Sequence, residues 1–481
     1  MTKRFLKAVP ALALFAVLGA CDEGLTEINQ NPNAPEDVPP ANLLGNAIMD
    51  AVGGAYGSHS EWFGMYLSNL WSQHLAQPTY GTEDDYLPRI AQLNGVWESA
   101  YTGPLADLNV LRNMAAASGD ENLDAVSNIL MHWQFQILTD VYGSIPYTEA
   151  LRADEGINSP AYDSQETVYN GIFDNLEAAV AQIDPSASVS WAGGDFFYNG
   201  DLEKWTKFAN SLRMRAAMRL SEVAPATAEA EFAAAYAAGG FESNADNAVL
   251  QYGATGPSRN PIHLHFTSRP LADFAVSKAM VDTLMNNDDP RLPFYADPAP
   301  ALGTYNGLPN GFEATELPSP TNPHPDSVAG FPHFSPISTY YREPDAPAFV
   351  FTYAEVLLLQ AEAAERGWIA ADAESLWQQG IEASMEQYNI PQAEIDAYIA
   401  GLTYNGLESI WTQQWIALYL NGNEAWSLVR RTGHPVLTPA DGAAEIPGRL
   451  PISPNENLYN PDNYAAFADL TVFDPVWWDV N

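Results

Sequence analysis

One polar stretch, residues 71–86, carries several side chains of the kinds that bind sugars. Trp71, Tyr80 and Tyr86 supply aromatic rings, and Asp84 and Asp85 supply two adjacent carboxylates. Sugars present flat C–H faces and many hydroxyl groups, so a site for them combines aromatic surfaces with a few polar groups in a preformed cleft. We predict that these five residues contact a ligand. For Trp71 the alternative is a place in the core.

A second group of candidates lies in residues 253–347, a section that is dense in proline and glycine. Arg259, Asn260, Arg269 and Tyr340 offer guanidinium, amide and aromatic groups there. A long irregular section in a compact protein is often functional. The section is therefore predicted to form a loop-rich ligand side.

Motifs for catalysis and for cofactors are missing from the sequence. It contains no H-E-x-x-H, G-x-S-x-G, phosphate-binding loop or G-x-G-x-x-G pattern. His263 and His265 could share one face of a strand, but no third metal ligand accompanies them, and residues 286–289 are typical of a turn before Pro290. We predict no catalytic residue, no metal and no cofactor. A glycoside hydrolase stays open as an alternative, because it needs only two carboxylates.

The charge of the chain excludes one class of partner. Its formal net charge is −40, from 60 acidic and 20 basic residues. Such a chain repels nucleic acid, so no nucleic-acid binding is expected. An acidic surface with few lysines is also typical of adaptation to high salt, and an ordinary acidic exported protein is the alternative.

The N-terminus has the pattern of an export signal. Lys3, Arg4 and Lys7 precede a short apolar run, and small residues stand before Cys21, the only cysteine. The run is too short to span a bilayer, so residues 1–20 are predicted to be a cleaved signal peptide. The ending resembles a bacterial lipobox, which implies that Cys21 is lipidated and attaches the protein to a membrane. The alternative is an ordinary signal peptide beside an incidental cysteine. Residues 21–40 are predicted to be a polar tether.

Helical periodicity dominates the rest of the chain, so residues 41–481 are predicted to form one mainly α-helical domain. Asp201 is a predicted N-cap, and Thr352 with Glu355 is a predicted capping box for a helix that pairs with the next one, near 370–388. Further helices are predicted over 41–57, 60–77, 89–117, 122–141, 164–183, 226–239 and 407–420.

Several ordered blocks give the chain a family resemblance. Residues 138–150 (LTDVYGSIPYTEA) are similar to a signature of the SusD/RagB family of nutrient-binding outer-membrane lipoproteins, in its SusD-like-2 branch. Blocks that begin at Asp201, Asp289, Thr352, Trp415 and Ile446 agree with the family in the same order. The resemblance implies a SusD-like helical fold, with tetratricopeptide-like helix pairs that support a loop-rich ligand face.

The resemblance also implies a function. It predicts a lipid-anchored protein of the outer membrane that binds oligomeric nutrients and delivers them to a SusC-like TonB-dependent transporter. An acidic Asp22-Glu23 pair after Cys21 resembles a signal for the outward face of that membrane. An oligosaccharide is the expected ligand and a peptide is the alternative. The expected class is a binding protein and not an enzyme; a helical-repeat scaffold that binds only protein also stays open.

Overall fold

The computed structural model describes residues 38–480, except 56, 58, 78–81, 269–272, 312–331 and 441. The predicted signal peptide, Cys21 and most of the predicted tether lie outside these residues. Two candidate ligand contacts, Tyr80 and Arg269, also lie outside them.

Long α-helices form most of the described chain. They are α1 (Pro40–Gly53), α2 (Ile90–Thr102), α3 (Pro104–Ser118), α4 (Glu121–Tyr142), α5 (Gln165–Gln182), α6 (Leu202–Arg219), α7 (Pro225–Ala238), α8 (Pro261–Ser268), α9 (Lys278–Asn286), α10 (Tyr353–Glu365), α11 (Ala373–Glu386), α12 (Gln392–Gly401), α13 (Leu407–Ala417) and α14 (Gly422–Thr432). A π-helix, Glu61–Ser68, lies between α1 and α2 and continues into the short α-helix Asn69–Trp71. Other short helices are Ala153–Glu155, Ala192–Gly194, Asn244–Asp246, Leu292–Tyr295, Thr339–Arg342, Glu456–Tyr459 and Pro461–Tyr464.

Strands are short and occur as antiparallel pairs. They are β1 (Leu75–Ala76), β2 (Ile145–Pro146), β3 (Tyr162–Asp163), β4 (Ala248–Leu250), β5 (Ala275–Val276) and β6 (Ala348–Phe351). The pair β1–β5 aligns Leu75 with Val276, β2–β3 aligns Ile145 with Asp163, and β4–β6 aligns Leu250 with Ala348. The pairs β1–β5 and β4–β6 join segments that are far apart in sequence, and the helices make up the bulk of the fold. The fold is mainly α-helical, as predicted.

The predicted caps form and start the expected helices. The Asp201 side chain accepts hydrogen bonds from the backbone N–H groups of Glu203 and Lys204, and Thr352 accepts one from the N–H of Glu355. Only this half of the predicted capping box forms, because the Glu355 carboxylate instead bonds Arg215 at 2.7 and 2.8 Å. Helices α10 and α11 pack together as predicted, and so do the consecutive pairs α4–α5 and α6–α7. This arrangement agrees with the predicted tetratricopeptide-like pairs.

Three predictions about helix extent are wrong. The helix predicted over 60–77 ends at Trp71, and Leu75–Ala76 form β1. The helix predicted over 89–117 is broken at Gly103, because Pro104 has no N–H to continue the α2 ladder and instead begins α3. The section 253–347 is less irregular than predicted, since it contains α8, α9 and β5. His263 and His265 consequently lie on a helix and not on a strand.

A connected set of charged side chains crosses the helical core, which we call the buried ionic network. Arg219 of α6 contacts Asp140 of α4 at 3.2 Å and also Glu424 of α14. The α6–α10 link is the Arg215–Glu355 pair, and the α10–α14 link is formed by Arg431 and Glu362 at 2.6 Å. All of these side chains are at most 6% exposed.

Candidate functional site

A cleft of about 360 Å³ opens between the C-terminal end of α1, the start of the π-helix, the loop after β4 and helix α8. Its lining includes Met49, Asp50, Trp62, Tyr252 and Arg259. It combines one exposed aromatic ring with a few polar groups, which is the usual composition of a small-ligand site. We call it the Trp62 cleft.

The π-helix positions Trp62 at the rim of this cleft. Ser60 caps the π-helix by accepting hydrogen bonds from the N–H groups of Phe63 and Gly64, at 3.0 and 3.2 Å. Phe63 is buried, whereas Trp62 is 40% exposed. Its ring rests on α2 at Gly95, where a Cβ would lie only 2.6 Å from Trp62 Cζ3. The glycine therefore gives the indole a flat support and leaves ring surface open to solvent.

Arg259 brings a guanidinium group to the same cleft. It is half-buried, and its Nε donates a hydrogen bond to the carbonyl of Gly256 at 2.9 Å. Among the residues that the structure describes, no carboxylate is ion-paired with Arg259. The three described lysines, in contrast, contact protein oxygens: Lys204 the carbonyl of Ala245, and Lys207 and Lys278 carboxylates. Arg259 is thus the cation that this part of the surface offers to a ligand.

The hydroxyl of Tyr252 is a further polar group at the cleft. Tyr252 is only 4% exposed, and its hydroxyl has no hydrogen-bond partner within the described chain. It lies close to α1, where a Cβ added to Gly53 would be 2.9 Å from the hydroxyl oxygen. Most buried polar groups have a partner, and one without a partner is destabilising. The oxygen is enclosed beside Gly53, so a ligand group could bond it only after that wall of the cleft moves.

The structure corrects three of the predictions for residues 71–86. Trp71, Asp84 and Tyr86 are at most 1% exposed, so their side chains present no surface to a ligand. The indole of Trp71 packs at 5.1 Å from the ring of Trp426 and donates to the carbonyl of Glu83, as expected for its alternative core position. The Tyr86 hydroxyl accepts a hydrogen bond from the N–H of Ala440.

Asp84 instead joins distant segments of the chain. Its carboxylate accepts hydrogen bonds from the N–H of Gln77 at 3.0 Å, from Nδ2 of Asn310 at 2.8 Å and from the N–H of Gly311 at 3.1 Å. Burial raises the pKa of Asp84 to about 7, although these three donors oppose the increase. Asp85 is half-buried beside it and does not line the Trp62 cleft.

In the second group of candidates, Arg259 lies at the cleft, whereas Asn260 and Tyr340 do not line it. Arg259 lines the Trp62 cleft, as described above. Asn260 is 3% exposed, and its side chain accepts from the N–H of Ile262 and donates to the carbonyl of Ala346, so its prediction as a ligand contact is corrected to a structural role. Tyr340 is half-buried, packs against Phe294 at 5.9 Å and is not part of the cleft lining.

Sequence reasoning missed Trp62, Asp50 and Tyr252. Residues 62–67 are apolar except for Gly64, so no periodicity separates an exposed ring from the buried ones. The stacking surface for Trp62 comes from Gly95. Only the tertiary structure shows that these residues meet.

A larger cleft of about 650 Å³ lies elsewhere, lined among others by Gln73, Lys278, Asp282, Asn310 and Val436. The ammonium group of Lys278 in this cleft already has an ion-pair partner, because it lies 2.5 Å from the Asp282 carboxylate. Its aromatic residue, Trp415, is fully buried. We therefore favour the Trp62 cleft as the functional site.

Within the described parts of the chain, no group of three His, Cys, Asp or Glu side chains could hold a metal ion. His263 Nδ1 lies 2.9 Å from the carbonyl of Arg342, and His265 lies 3.5 Å from Asp273. None of the described helices is both long and apolar enough to cross a membrane.

Comparison with known proteins identifies the family. A family model, SusD-like_2, described as starch-binding and associating with the outer membrane, matches residues 32–452. No protein with a curated description matches the sequence significantly.

Solved structures agree with this match over nearly the whole chain. A chitin-binding protein is 32% identical with a TM-score of 0.81, over 92% of this chain and 100% of its own. A chitin-binding SusD homologue from Flavobacterium johnsoniae is 26% identical with a TM-score of 0.79, over 91% and 99%. A SusD-like protein from Bacteroidetes, AC2a, is 25% identical with a TM-score of 0.81, over 92% and 100%. Two of these relatives are described as chitin-binding, which names them as binding proteins and not as enzymes. The chain therefore belongs to the SusD-like_2 family, whose members share this mainly helical fold and are described as associating with the outer membrane.

Proposed function

We propose that this protein is a surface-exposed lipoprotein that binds oligosaccharides in the Trp62 cleft and delivers them to a SusC-like TonB-dependent transporter. The observation that carries the proposal is the exposed Trp62 ring beside the unpaired Arg259 and the unpartnered Tyr252 hydroxyl. The ring offers a flat apolar surface for a sugar C–H face. The guanidinium and the hydroxyl offer hydrogen bonds to sugar oxygens.

Chitin-type oligosaccharides are the first ligands to test. Two relatives, at 32% and 26% identity, are described as chitin-binding. An N-acetyl group carries a methyl and an amide, and the cleft provides Met49 and Leu264 for the methyl. Because the family description names starch, maltohexaose is the second ligand to test.

Calorimetric titration of the mature protein with chitohexaose, maltohexaose and a panel of peptides tests the proposal. We expect saturable binding of one of the sugars. Trp62→Ala should weaken it by about fivefold or more, because a central aromatic contact is commonly worth more than about 1 kcal/mol. Tyr459→Ala is the control, since Tyr459 is 62% exposed but does not line the cleft. Equal affinity in wild type and Trp62→Ala would remove the cleft from the proposal, and saturable binding of peptides alone would replace the sugar.

The same titration tests the remaining predicted contacts. Tyr80→Ala, Arg269→Ala, Asp85→Asn and Tyr340→Ala each remove one side chain predicted to reach the ligand. A loss of affinity in any of these variants would extend the site beyond the Trp62 cleft. Turnover of the sugar by wild-type protein would contradict a binding role.

Membrane attachment is tested separately by changing Cys21. We expect Cys21→Ser to appear in the soluble fraction or to be mislocalised, because the proposed anchor is the lipid on this thiol. Wild-type protein should fractionate with the outer membrane. An unchanged distribution of the variant would contradict lipidation at this residue.

A further inference from the structure

The Trp62 cleft has an acidic corner that binding of a neutral sugar leaves unexplained. Asp50 of α1 lines the cleft, and Asp107 of α3 lies behind it. Asn46 connects the two, since its Nδ2 is 2.7 Å from Asp107 Oδ2 and 3.4 Å from Asp50 Oδ2. Among the residues that the structure describes, no lysine or arginine is ion-paired with either carboxylate.

The Asn46 amide lies between the two carboxylates, and their negative charges repel each other. Burial raises the pKa of Asp50, the negative charge of Asp107 raises it further, and the Asn46 amide only partly opposes the increase. A positive charge beside Asp50 would relieve the repulsion. The corner is therefore suited to a cationic group.

Two other residues of the cleft lining suit the same cation. The face of an indole attracts ammonium groups, and the exposed ring in this cleft is Trp62. The buried Tyr252 hydroxyl, which has no partner in the described chain, can accept a hydrogen bond from an ammonium N–H. Arg259 is the opposing charge in the lining, and its guanidinium suits a hydroxyl or acetyl oxygen of a neighbouring sugar unit.

We propose that the Trp62 cleft binds oligosaccharides that contain amino sugars with a free ammonium group, such as partly deacetylated chitin. The ammonium group lies against the Trp62 ring and donates to the Asp50 carboxylate. This inference rests on the proposed glycan-binding function and specifies the class of glycan. The net charge of −40 adds a long-range attraction for such a cation and disfavours acidic glycans.

Matched hexamers test the inference. Mature protein is titrated at about pH 6 with chitohexaose, with the glucosamine hexamer and with a lysine-containing peptide of equal charge. The glucosamine hexamer should bind about threefold to tenfold more tightly than chitohexaose, the range expected for one ammonium at a partly exposed site. Asp50→Asn should abolish most of this preference, so that the ratio of the two affinities falls towards one.

Glu229→Gln is the control that separates the effect of the Asp50 carboxylate from the effect of the protein's net negative charge. It removes the same amount of charge from an exposed position on α7 outside the cleft, so it should leave the preference unchanged. Equal effects of Asp50→Asn and Glu229→Gln, or equal binding of the two hexamers, would overturn the inference while leaving the glycan proposal intact. Binding of neither hexamer would refute both. An Asp50-dependent preference for the peptide would assign the corner to a peptide amine.

Discussion

The buried ionic network and the Trp62 cleft both place polar groups away from bulk water, but they satisfy them differently. In the network, Arg215 meets Glu355 with two hydrogen bonds of 2.7 and 2.8 Å. In the cleft, the Tyr252 hydroxyl has no partner within the described chain, and Asp50 is near another carboxylate. The network is complete without a ligand. The cleft has bonding capacity that the described chain leaves unfilled and that a ligand or water can take up.

The pKa values of two other buried acids, Glu362 and Asp84, show what a cationic partner can change. Burial alone would raise the pKa of Glu362, but its ion pairs with Arg431 and Arg366 outweigh burial and hold the pKa below its usual range. Asp84 is equally buried, yet its partners are neutral N–H groups, and its pKa rises to about 7. A buried acid keeps its charge readily only where a cation compensates the lost hydration.

The largest predicted effect is a loss in the free energy of unfolding when one arginine of the buried ionic network is removed. Arg215→Ala leaves the Glu355 carboxylate buried without its ion-pair partner, and should lower the free energy of unfolding by about 3–5 kcal/mol. Urea denaturation measures this loss. Arg152→Ala is the control, because Arg152 and Glu155 form an exposed pair, and its loss should change the free energy of unfolding little. Similar losses in the two variants would show that burial does not set the value of the pair.

A smaller, pH-dependent effect on the free energy of unfolding is expected from Asp84. Its folded-state pKa of about 7 lies above the unfolded value, so protonation favours the fold, and this stabilisation is lost as the pH rises through 7. The free energy of unfolding of wild type relative to Asp84→Asn should therefore fall between about pH 4 and pH 8, by at most about 4 kcal/mol. Denaturant titrations across this range measure the difference. Asp462→Asn, at an exposed position, is the control, and a constant difference for Asp84→Asn would contradict the raised pKa.

The smallest effect is expected at Tyr252. Tyr252→Phe removes a buried hydroxyl that has no partner in the described chain, so the thermal midpoint should stay the same or rise slightly. Affinity for the glycan should fall by about threefold to tenfold, because one hydrogen bond to the ligand is lost. Scanning calorimetry measures the thermal midpoint, and titration calorimetry measures the affinity for the glycan. A marked loss of stability would show that the hydroxyl serves the fold and not the ligand.

The helical fold could be predicted largely from local patterns. Asp201 and Thr352 begin helices because their side chains bond N–H groups a few residues away. The error at residues 89–117 was also local, since Pro104 marks the break in the sequence itself. Helices α8 and α9 were missed because they are short and stand among proline-rich segments.

The candidate site was predictable only in part. Arg259 was identified from its residue type and section, and it lines the cleft. Asp84 and Tyr86 were predicted to be accessible because polar loops usually are. In the structure, residues 310–311 contact Asp84 and residue 440 contacts Tyr86. The sequence of residues 71–86 alone does not indicate these partners.

The sequence by itself determined the family, the mainly helical class, the acidic character and the positions of the major caps, because each depends on residue order or on contacts within a few residues. The tertiary structure decided which aromatic rings are exposed and which acids are paired. Trp62 meets Gly95, Tyr252 meets Gly53, and Asp50 approaches Asp107, and each of these contacts joins separate segments. A side chain's exposure and charge state depend on such neighbours, and only the folded chain brings them together.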